Sequence, residues 1–319
     1  MRDIILNMLR EHEIISGEVI SRELNISRAA VAKHIKALRA EGYVIEAAPH
    51  NGYQLLSTPD VLSAAEISSR LQETPVWEIE TYDELPSTDQ RLRLRAEAGA
   101  PEFRVVIAES QTAGRGRLGR TWYSPANAGL WMSLLLRPEL PPQAAQSVVL
   151  TAATAVAEAL ESQQIPVRLK WPNDVLAPDG RKVAGIRCEL HTDAERMEWL
   201  TVGIGVNVNM LSFPLELRET ACSLRQVAGT ALHRADIAAA ILDRMLINYR
   251  LLRLDLFSLI RLRWLSYAEG IGSKVAVSRG GSVEIGVAYD LDPDGYLLLK
   301  NENGVHRILV GDMSPYRES

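Results

Sequence analysis

Hydrophobic positions up to Ser57 predict three short helices followed by two strands. In the third helical run, Val31, Ile35 and Leu38 are separated by steps of four and three, which places them on one face of a helix. Ser27 belongs to the residue types that cap helix N-termini, and the run ends near Glu41. The rest of this segment predicts a strand, a turn and a strand, at Tyr43-Val44-Ile45, Pro49-His50-Asn51-Gly52 and Tyr53-Gln54-Leu55.

The apolar pattern of the long middle segment is different. A linking helix is predicted over 61–71, and beyond it strands and helices are mixed without strict alternation. The strands are predicted at 104–109, 130–136, 168–171, 183–190 and 199–208, and the helices at 147–163 and 237–254. This irregular order predicts an α+β domain with a mixed sheet rather than a doubly wound one.

From residue 271 the chain consists of short strands separated by turn sequences. Strands are predicted at 274–277, 283–289, 296–299 and 305–309, and the turns contain glycine, which supplies positive φ. These turns are Arg279-Gly280-Gly281-Ser282, Asp292-Pro293-Asp294-Gly295 and Asn301-Glu302-Asn303-Gly304. We therefore predict an α+β multidomain protein, with a small SH3-like β-barrel at 271–319 after domains at 1–60 and 64–270.

The order of elements in the first domain is that of a winged helix-turn-helix, which presents its third helix to the major groove of DNA. Between residues 27 and 39 the charged side chains are all basic, at Arg28, Lys33, Lys36 and Arg39. Small alanines beside them permit close approach to a groove. The candidate DNA-binding residues are Ser27, Arg28, Ala29, Ala30, Lys33 and Lys36. The alternative is a winged helix that contacts protein and exposes its basic face to solvent.

Composition limits the class of protein. The chain has 319 residues with 47% hydrophobic and 24% charged residues, which is ordinary for a globular protein. Its net charge of −5 means that any DNA binding must come from a local basic patch. We find neither an apolar run of about 20 residues nor a signal-peptide pattern, and we expect no membrane association. Cys188 and Cys222 lie outside any metal-binding pattern, so we interpret them as reduced thiols of a cytoplasmic protein.

The most distinctive stretch is the arginine loop, residues 114–120, which reads Gly-Arg-Gly-Arg-Leu-Gly-Arg. Glycine allows several backbone N–H groups to surround one anion, and arginine adds a permanent charge with a planar set of donors. The loop differs from a Walker P-loop because no Gly-Lys-Ser/Thr follows. It predicts binding of a carboxylate or phosphate. Taken alone, it is also compatible with a basic surface loop or a nucleic-acid tether.

Motifs along the whole chain resemble one family. The winged helix is followed by the arginine loop with Trp122, Ser124 and Pro125, then by Lys-Trp-Pro-Asn-Asp at 170–174, Lys-Val-Ala-Gly at 182–185 and the small barrel. This order is similar to that of the bacterial biotin–protein ligases that also repress the biotin operon. The resemblance implies that biotin and ATP, with Mg²⁺, form biotinoyl-5′-adenylate. The biotinoyl group then passes to a lysine of the biotin carboxyl carrier protein.

The resemblance also implies roles for individual residues. Lys182, Arg115 and Arg117 correspond to the catalytic cations, and the residues implied in biotin binding are Ser87, Thr88, Asp89, Gln111, Arg115, Gly116, Arg117 and Lys182. Those implied in nucleotide binding are Arg117, Trp122, Asn173, Asp174 and Asn207, with Asp174 also a candidate Mg²⁺ ligand. Ordinary structural roles are the alternative: a strand-edge lysine for Lys182, a core side chain for Trp122, and turn chemistry for the three polar residues.

Ser87-Thr88-Asp89 departs from the family pattern, which is Ser-Thr-Asn. Aspartate keeps an acceptor but lacks the amide donor. Ser87 and Asp89 are also good caps for the helix that is expected to follow. From the sequence alone, Asp89→Asn is expected to leave ligation intact or to improve it.

The family implies a ligand-promoted homodimer in which two winged helices bind two half-sites of operator DNA. Three alternatives remain: a ligase that has lost operator binding, a regulator that senses the adenylate without transferring it, and a lipoate-type ligase. The arginine loop and the winged helix argue against the lipoate-type ligase. The segment 210–226 is apolar and interrupted by proline, and is a candidate for a flap that orders on the adenylate.

Overall fold

In the computed structural model, the chain folds into two compact units, Met1–Val61 and Leu62–Ser319. The structure describes residues 1–48, 52–72, 76–192 and 196–316. The helices in these ranges are α1 (Arg2–Glu11), α2 (Gly17–Glu23), α3 (Arg28–Ala40), α4 (Ala64–Ser68), α5 (Thr88–Glu97), α6 (Ala145–Ser162), α7 (Leu224–Ala228), α8 (Arg234–Arg253) and α9 (Phe257–Tyr267).

Strands make up three sheets in the described ranges. They are β1 (Ile15–Ser16), β2 (Val44–Ala48), β3 (Gly52–Ser57), β4 (Glu78–Leu85), β5 (Arg104–Gln111), β6 (Gly129–Leu136), β7 (Arg168–Lys170), β8 (Asp174–Leu176), β9 (Lys182–Thr192), β10 (Met197–Asn207), β11 (Lys274–Arg279), β12 (Ser282–Leu291), β13 (Leu297–Asn301), β14 (Gly304–Ile308) and β15 (Asp312–Pro315).

The N-terminal unit has the three helices and the hairpin that its sequence predicts. Val31, Ile35 and Leu38 are buried on one face of α3, and Ser27 caps that helix by accepting a hydrogen bond from the Ala30 N–H at 3.1 Å. Strand β3 lies between β1 and β2 in a small antiparallel sheet. Of the predicted wing turn, Pro49, His50 and Asn51 lie outside the described residues.

The second unit is built on a mixed sheet with strand order β4-β5-β6-β10-β9-β8-β7 across the described residues. Only the β4–β5 pair is parallel within these ranges. Alternate residues of β5 face opposite sides, as a strand requires. Val105 and Ile107 belong to the large core that contains α6, α8 and α9, whereas Val106 packs with Leu92 of α5. The predicted mixed-sheet α+β architecture is confirmed.

The C-terminal segment forms an antiparallel sheet of order β14-β13-β12-β11-β15 in the part of the chain that the structure describes. Its hairpins close at Arg279–Ser282 and Asn301–Gly304, where Gly304 has φ 112°, a value that favours glycine. Buried residues of this sheet, including Leu297 and Met313, belong to the same hydrophobic cluster as α6. The C-terminal sheet therefore packs on the mixed-sheet part of the unit through a shared core.

Several elements differ from the sequence prediction. The linking helix predicted over 61–71 is only α4, Ala64–Ser68, and α9 was not predicted. Strand β4 was also missed because it is an edge strand in which no residue is fully buried, so it lacks a clear apolar alternation. Among the described helices, none has the length and apolar content that crossing a bilayer requires.

Candidate functional site

A cavity of about 490 Å³ lies against β6, β9 and β10. The arginine loop, the turn at 170–174 and β15 also contribute to its lining. Every residue predicted from the sequence to bind biotin or nucleotide lines it except Ser87: these are Thr88, Asp89, Gln111, Arg115, Gly116, Arg117, Trp122, Asn173, Asp174, Lys182 and Asn207. Ser87 is the N-cap of α5 and accepts a hydrogen bond from the Gln90 N–H at 3.5 Å.

The arginine loop is ordered as a tight hairpin. The Gly116 N–H donates to the Arg120 carbonyl at 2.7 Å, and the Trp122 N–H donates to the Gly114 carbonyl at 2.9 Å. A Cβ at position 114 would lie 2.7 Å from the Trp122 carbonyl oxygen, so glycine is required there. Leu118 sits at the tip with φ 55° and is 67% exposed.

Arg117 connects this loop to two other parts of the unit. Its Nη1 donates to Asn173 Oδ1 at 2.9 Å and to Asp312 Oδ1 at 3.3 Å, and its Nη2 donates to the Gly311 carbonyl at 3.3 Å. Burial lowers the pKa of its guanidinium, although Asp312 and Asp174 oppose that effect. Arg120 also donates to Asp312, at 2.5 Å, whereas Arg115 is exposed at the cavity.

Two lysines converge on Asp174. Lys182 Nζ lies 2.5 Å from Asp174 Oδ1, and Lys170 Nζ lies 3.2 Å from Oδ2. Burial by itself would raise the pKa of this carboxyl, but the two ammonium groups outweigh burial, and its pKa lies below the usual range. Asp174 is therefore ionised and balances one of two positive charges, which leaves this part of the cavity net positive.

Trp122 lies on a surface made of glycines. Gly185 of β9 and Gly205 of β10 are paired in register. A Cβ at Gly205 would lie 2.5 Å from Trp122 Nε1, and one at Gly185 would lie 3.0 Å from the same ring. Lys182 Nζ is 5.1 Å from the ring centroid. The buried Nε1–H has no hydrogen-bond partner among the described residues.

A hydrogen-bonded polar network holds three of the lining residues, Thr88, Asp89 and Gln111. Thr88 donates its backbone N–H to Gln111 Oε1 at 2.9 Å, and Gln111 Nε2 donates to Ser124 Oγ at 3.0 Å. Ser133 Oγ lies 2.7 Å from Thr88 Oγ1 and donates to Asp89 Oδ1 at 2.7 Å. Such a fixed set of donors and acceptors suits a rigid polar ligand.

The two predicted asparagines are held by backbone groups. Asn173 donates from Nδ2 to the Ile186 carbonyl at 2.8 Å while it accepts from Arg117. Asn207 donates to the Cys222 carbonyl at 3.1 Å and to the Lys182 carbonyl at 3.3 Å. Both are buried, and both line the cavity. Their amides fix the ends of strands around the site.

The candidate DNA-binding residues lie together at the N-terminal part of α3. Arg28, Ala29, Lys33 and Lys36 are exposed, while Ala30 is half-buried and Ser27 is the exposed cap. Arg28 forms an exposed ion pair with Glu18 at 2.7 Å. The basic face of the helix is thus open to solvent, apart from the charge that Glu18 offsets.

Sequence reasoning missed several residues of the cavity. Asp312, Arg187, Arg120 and Lys170 line it but were not assigned to it. The unassigned segment 210–226 also contributes, through Phe213, Leu217, Glu219, Thr220 and Ala221. For Arg187 a signal was present, since one charge interrupts the apolar run from Val183 to Cys188. For Asp312 there was none, because its contacts are made with residues remote in sequence.

Comparison with known proteins identifies the family. The chain is 40% identical to the bifunctional ligase/repressor BirA of Bacillus spizizenii over 94% of each chain. The chain belongs to the biotin protein ligase family. It is also 40% identical to BirA of Bacillus subtilis, with 95% of this chain and 94% of that chain covered.

Domain models and a solved structure agree with this family. The Biotin/lipoate A/B protein ligase family model matches residues 84–207, an HTH domain matches 2–54, and the biotin protein ligase C-terminal domain matches 270–314. The biotin protein ligase of Aquifex aeolicus in complex with biotin and ATP has a TM-score of 0.65 and 31% identity, covering 75% of this chain and 99% of that chain.

Proposed function

We propose that the protein is a bifunctional biotin–protein ligase and biotin operon repressor. It joins biotin to ATP and transfers the biotinoyl group to a lysine of the biotin carboxyl carrier protein of acetyl-CoA carboxylase. Relatives that match nearly the whole chain are named as ligase/repressors. The observation that carries the proposal is one cavity lined by Arg115, Arg117 and Lys182 and also by the network around Thr88 and Gln111.

The first step forms a mixed anhydride between two anions. A carboxylate oxygen of biotin attacks the α-phosphorus of ATP, the bond to the β-phosphate oxygen breaks, and pyrophosphate leaves. The two anions repel each other, so the cavity must supply positive charge and hold the reacting atoms in place. We assign Lys182, Arg115 and Arg117 to this role, since Asp174 keeps Lys182 fixed and Asn173 and Asp312 keep Arg117 fixed.

Binding of the two substrates uses the remaining predicted residues. Thr88, Asp89 and Gln111 hold the polar ring of biotin, and Ser87 acts by capping α5. Trp122, Asn173, Asp174 and Asn207 hold the nucleotide. In the second step the carrier lysine attacks the acyl carbon of the adenylate, AMP leaves, and the amine loses a proton.

Mg²⁺ enters as part of the substrate MgATP. Both carboxylate oxygens of Asp174 already accept from lysines. Within the described residues, no three His, Cys, Asp or Glu side chains group together in a way that could hold a metal. Asp174 is therefore better suited to positioning Lys182 than to ligating the metal.

Repression uses the N-terminal unit. We propose that α3 binds operator DNA through Arg28, Lys33 and Lys36, and that the adenylate acts as corepressor by promoting a homodimer. We also propose that the protein is cytoplasmic. Its domains are proposed at 1–60, 64–270 and 271–319, and the C-terminal sheet is proposed to have an SH3-like arrangement.

Mass spectrometry of a carrier domain tests the ligase. After incubation with this protein, biotin and MgATP, one lysine should carry a biotinoyl group, and omission of ATP should abolish the product. An unmodified carrier together with measurable adenylate binding would favour the sensing regulator instead. Preference for lipoate over biotin in adenylate formation would favour the lipoate-type ligase.

Operator binding is tested separately at fixed salt. Affinity for biotin operator DNA should rise when biotin and MgATP are added. Lys33→Ala should weaken binding and reduce the slope of log K against log salt by about one, whereas Lys300→Ala in the C-terminal sheet serves as the control. If operator affinity is the same with and without ligands, the corepressor role is wrong. If the protein ligates biotin but binds no operator DNA under any of these conditions, it is the ligase that has lost operator binding.

A further inference from the structure

Asp89 is paired with a cation that the sequence analysis did not assign. Arg187, on β9, points its guanidinium toward α5 and places Nη1 3.2 Å from Asp89 Oδ2. Both side chains line the cavity, and the Asp89 side chain is only 10% exposed. A Cβ at Gly203 would lie 2.7 Å from each carboxylate oxygen, so a glycine on β10 provides the space for this pair.

The other carboxylate oxygen of Asp89, Oδ1, sets the direction of the hydrogen bonds between two neighbouring hydroxyl groups. Ser133 has one hydroxyl hydrogen and donates it to Asp89 Oδ1. It can then only accept from Thr88, whose Oγ1 lies 2.7 Å away. Gln111 Oε1 already accepts the Thr88 backbone N–H, so the longer 3.2 Å contact from Thr88 Oγ1 is not needed to satisfy it. The hydrogens thus run from Thr88 to Ser133 to Asp89.

This direction has a consequence at the cavity. With its one hydrogen given to Ser133, the Thr88 hydroxyl meets a ligand with lone pairs alone and acts only as an acceptor. A protonated Asp89 would itself carry a donor on the carboxyl group, which permits the reverse direction and turns the Thr88 hydroxyl into a donor. The charge on Asp89 therefore decides whether this hydroxyl accepts or donates.

Charged groups around Asp89 act in opposite directions. The pKa of its carboxyl is raised because burial outweighs the hydrogen bond from Ser133 and the charge of Arg187, which offset only part of that rise. Glu189, also on β9, adds to the rise and itself pairs with Arg187. The Cys188 thiol, whose pKa is raised to about 12, stays neutral beside them. Arg187 is the cation that faces the carboxylate in this set.

We propose that Arg187 is a positioning residue that keeps Asp89 ionised and so presents Thr88 Oγ1 as an acceptor to a ring N–H of the ureido group of biotin. This inference rests on the proposed function, since it assigns the polar ring of biotin to this network. It also makes Arg187 a determinant of specificity, because a ligand ring without an N–H donor at this place leaves the hydroxyl unpaired.

The pair changes what is expected of Asp89→Asn. An asparagine oxygen can still accept from Ser133, but its amide then faces the Arg187 guanidinium, donor against donor. The single substitution should therefore weaken biotin binding. The double substitution Asp89→Asn with Arg187→Met should bind biotin more tightly than Asp89→Asn alone.

Calorimetric titration of the full-length protein with biotin, without ATP, tests the proposal from acid to neutral pH. Wild-type affinity should fall as the pH falls through the Asp89 pKa. Arg187→Met should raise Kd by about tenfold at neutral pH, the loss expected for one hydrogen bond to a charged group. The substitution should also move the fall in biotin affinity at acid pH to higher pH. Arg187→Lys should show both effects only in part, and the affinity of the double variant should not fall at acid pH.

The outcomes distinguish a failure of the proposed function from a failure of this inference alone. A wild-type protein that does not bind biotin overturns the proposed function and this inference with it. Wild-type binding with an unchanged affinity and pH profile in Arg187→Met overturns the inference alone. A lower Tm with an unmoved pH profile does the same, because it shows a merely structural role. If Arg187→Met does not fold, the pH dependences of biotin affinity in the wild type and in Arg187→Lys still decide whether the inference holds.

Discussion

Arg117 and Asp312 are 195 residues apart in the sequence, yet Arg117 Nη1 lies 3.3 Å from Asp312 Oδ1. The same carboxylate accepts from Arg120 at 2.5 Å. Asp312 belongs to β15, at the edge of the C-terminal sheet, and it lines the cavity. The C-terminal sheet therefore takes part in ordering the arginine loop.

Asp312→Asn tests this ordering. The substitution removes the charge that holds two arginines, so the loop has to be organised by the substrates themselves. We expect the rate of adenylate formation to fall about fivefold, a modest part of what precise positioning contributes to catalysis. Pyrophosphate release measures this rate. Asp294→Asn, which breaks the ion pair with Arg307 in the same sheet, is the matched control. Faster release in Asp312→Asn would show that the carboxylate competes with phosphate.

Gly205→Ala tests the glycine surface beneath Trp122. The added methyl would lie 2.5 Å from the indole Nε1, and overpacking of this kind typically costs about 1–3 kcal/mol. We expect the indole to move and the KM for ATP to rise about tenfold, with a smaller effect on the KM for biotin. In a Trp122→Ala background the same substitution should have little further effect. An equal effect in both backgrounds would contradict the role given to Trp122.

The pKa of Asp174 gives a prediction about stability and pH. The folded-state pKa of Asp174 is lowered. Its ionisation therefore stabilises the fold at pH values above the unfolded pKa of about 4, and this contribution is lost as the pH falls through the lower folded-state pKa. Asp174→Asn should lower the free energy of unfolding at neutral pH by about 1–3 kcal/mol, since both lysines lose their partner. The difference from wild type should shrink in acid. Urea unfolding measures it, with the exposed Asp83→Asn as control, and a difference that is constant with pH would contradict the assignment.

Much of the fold follows from local patterns. The buried face of α3 was predicted from the spacing of Val31, Ile35 and Leu38, and glycine turns predicted the hairpins of the C-terminal sheet. Strand β4 escaped prediction because it is an edge strand with half-exposed residues, so burial did not impose an apolar alternation on it.

The candidate site was predicted from motifs rather than from periodicity. The motifs at 114–120, 170–174 and 182–185 meet in one cavity, as their resemblance to the family implies. Asp312 and Arg187 could not be found in this way. Their importance arises from contacts with Arg117 and Asp89, which only the folded chain brings close.

The central claim is that cationic side chains of the arginine loop bring the biotin carboxylate and the α-phosphate together. Single-turnover release of pyrophosphate from MgATP and biotin measures that step most directly. The account predicts that replacing Arg115 and Arg117 together with alanine slows it by at least about 100-fold, as expected when preorganised charge is removed from a reacting anion. A rate equal to that of the wild type, in a variant with unchanged Tm, would contradict the account.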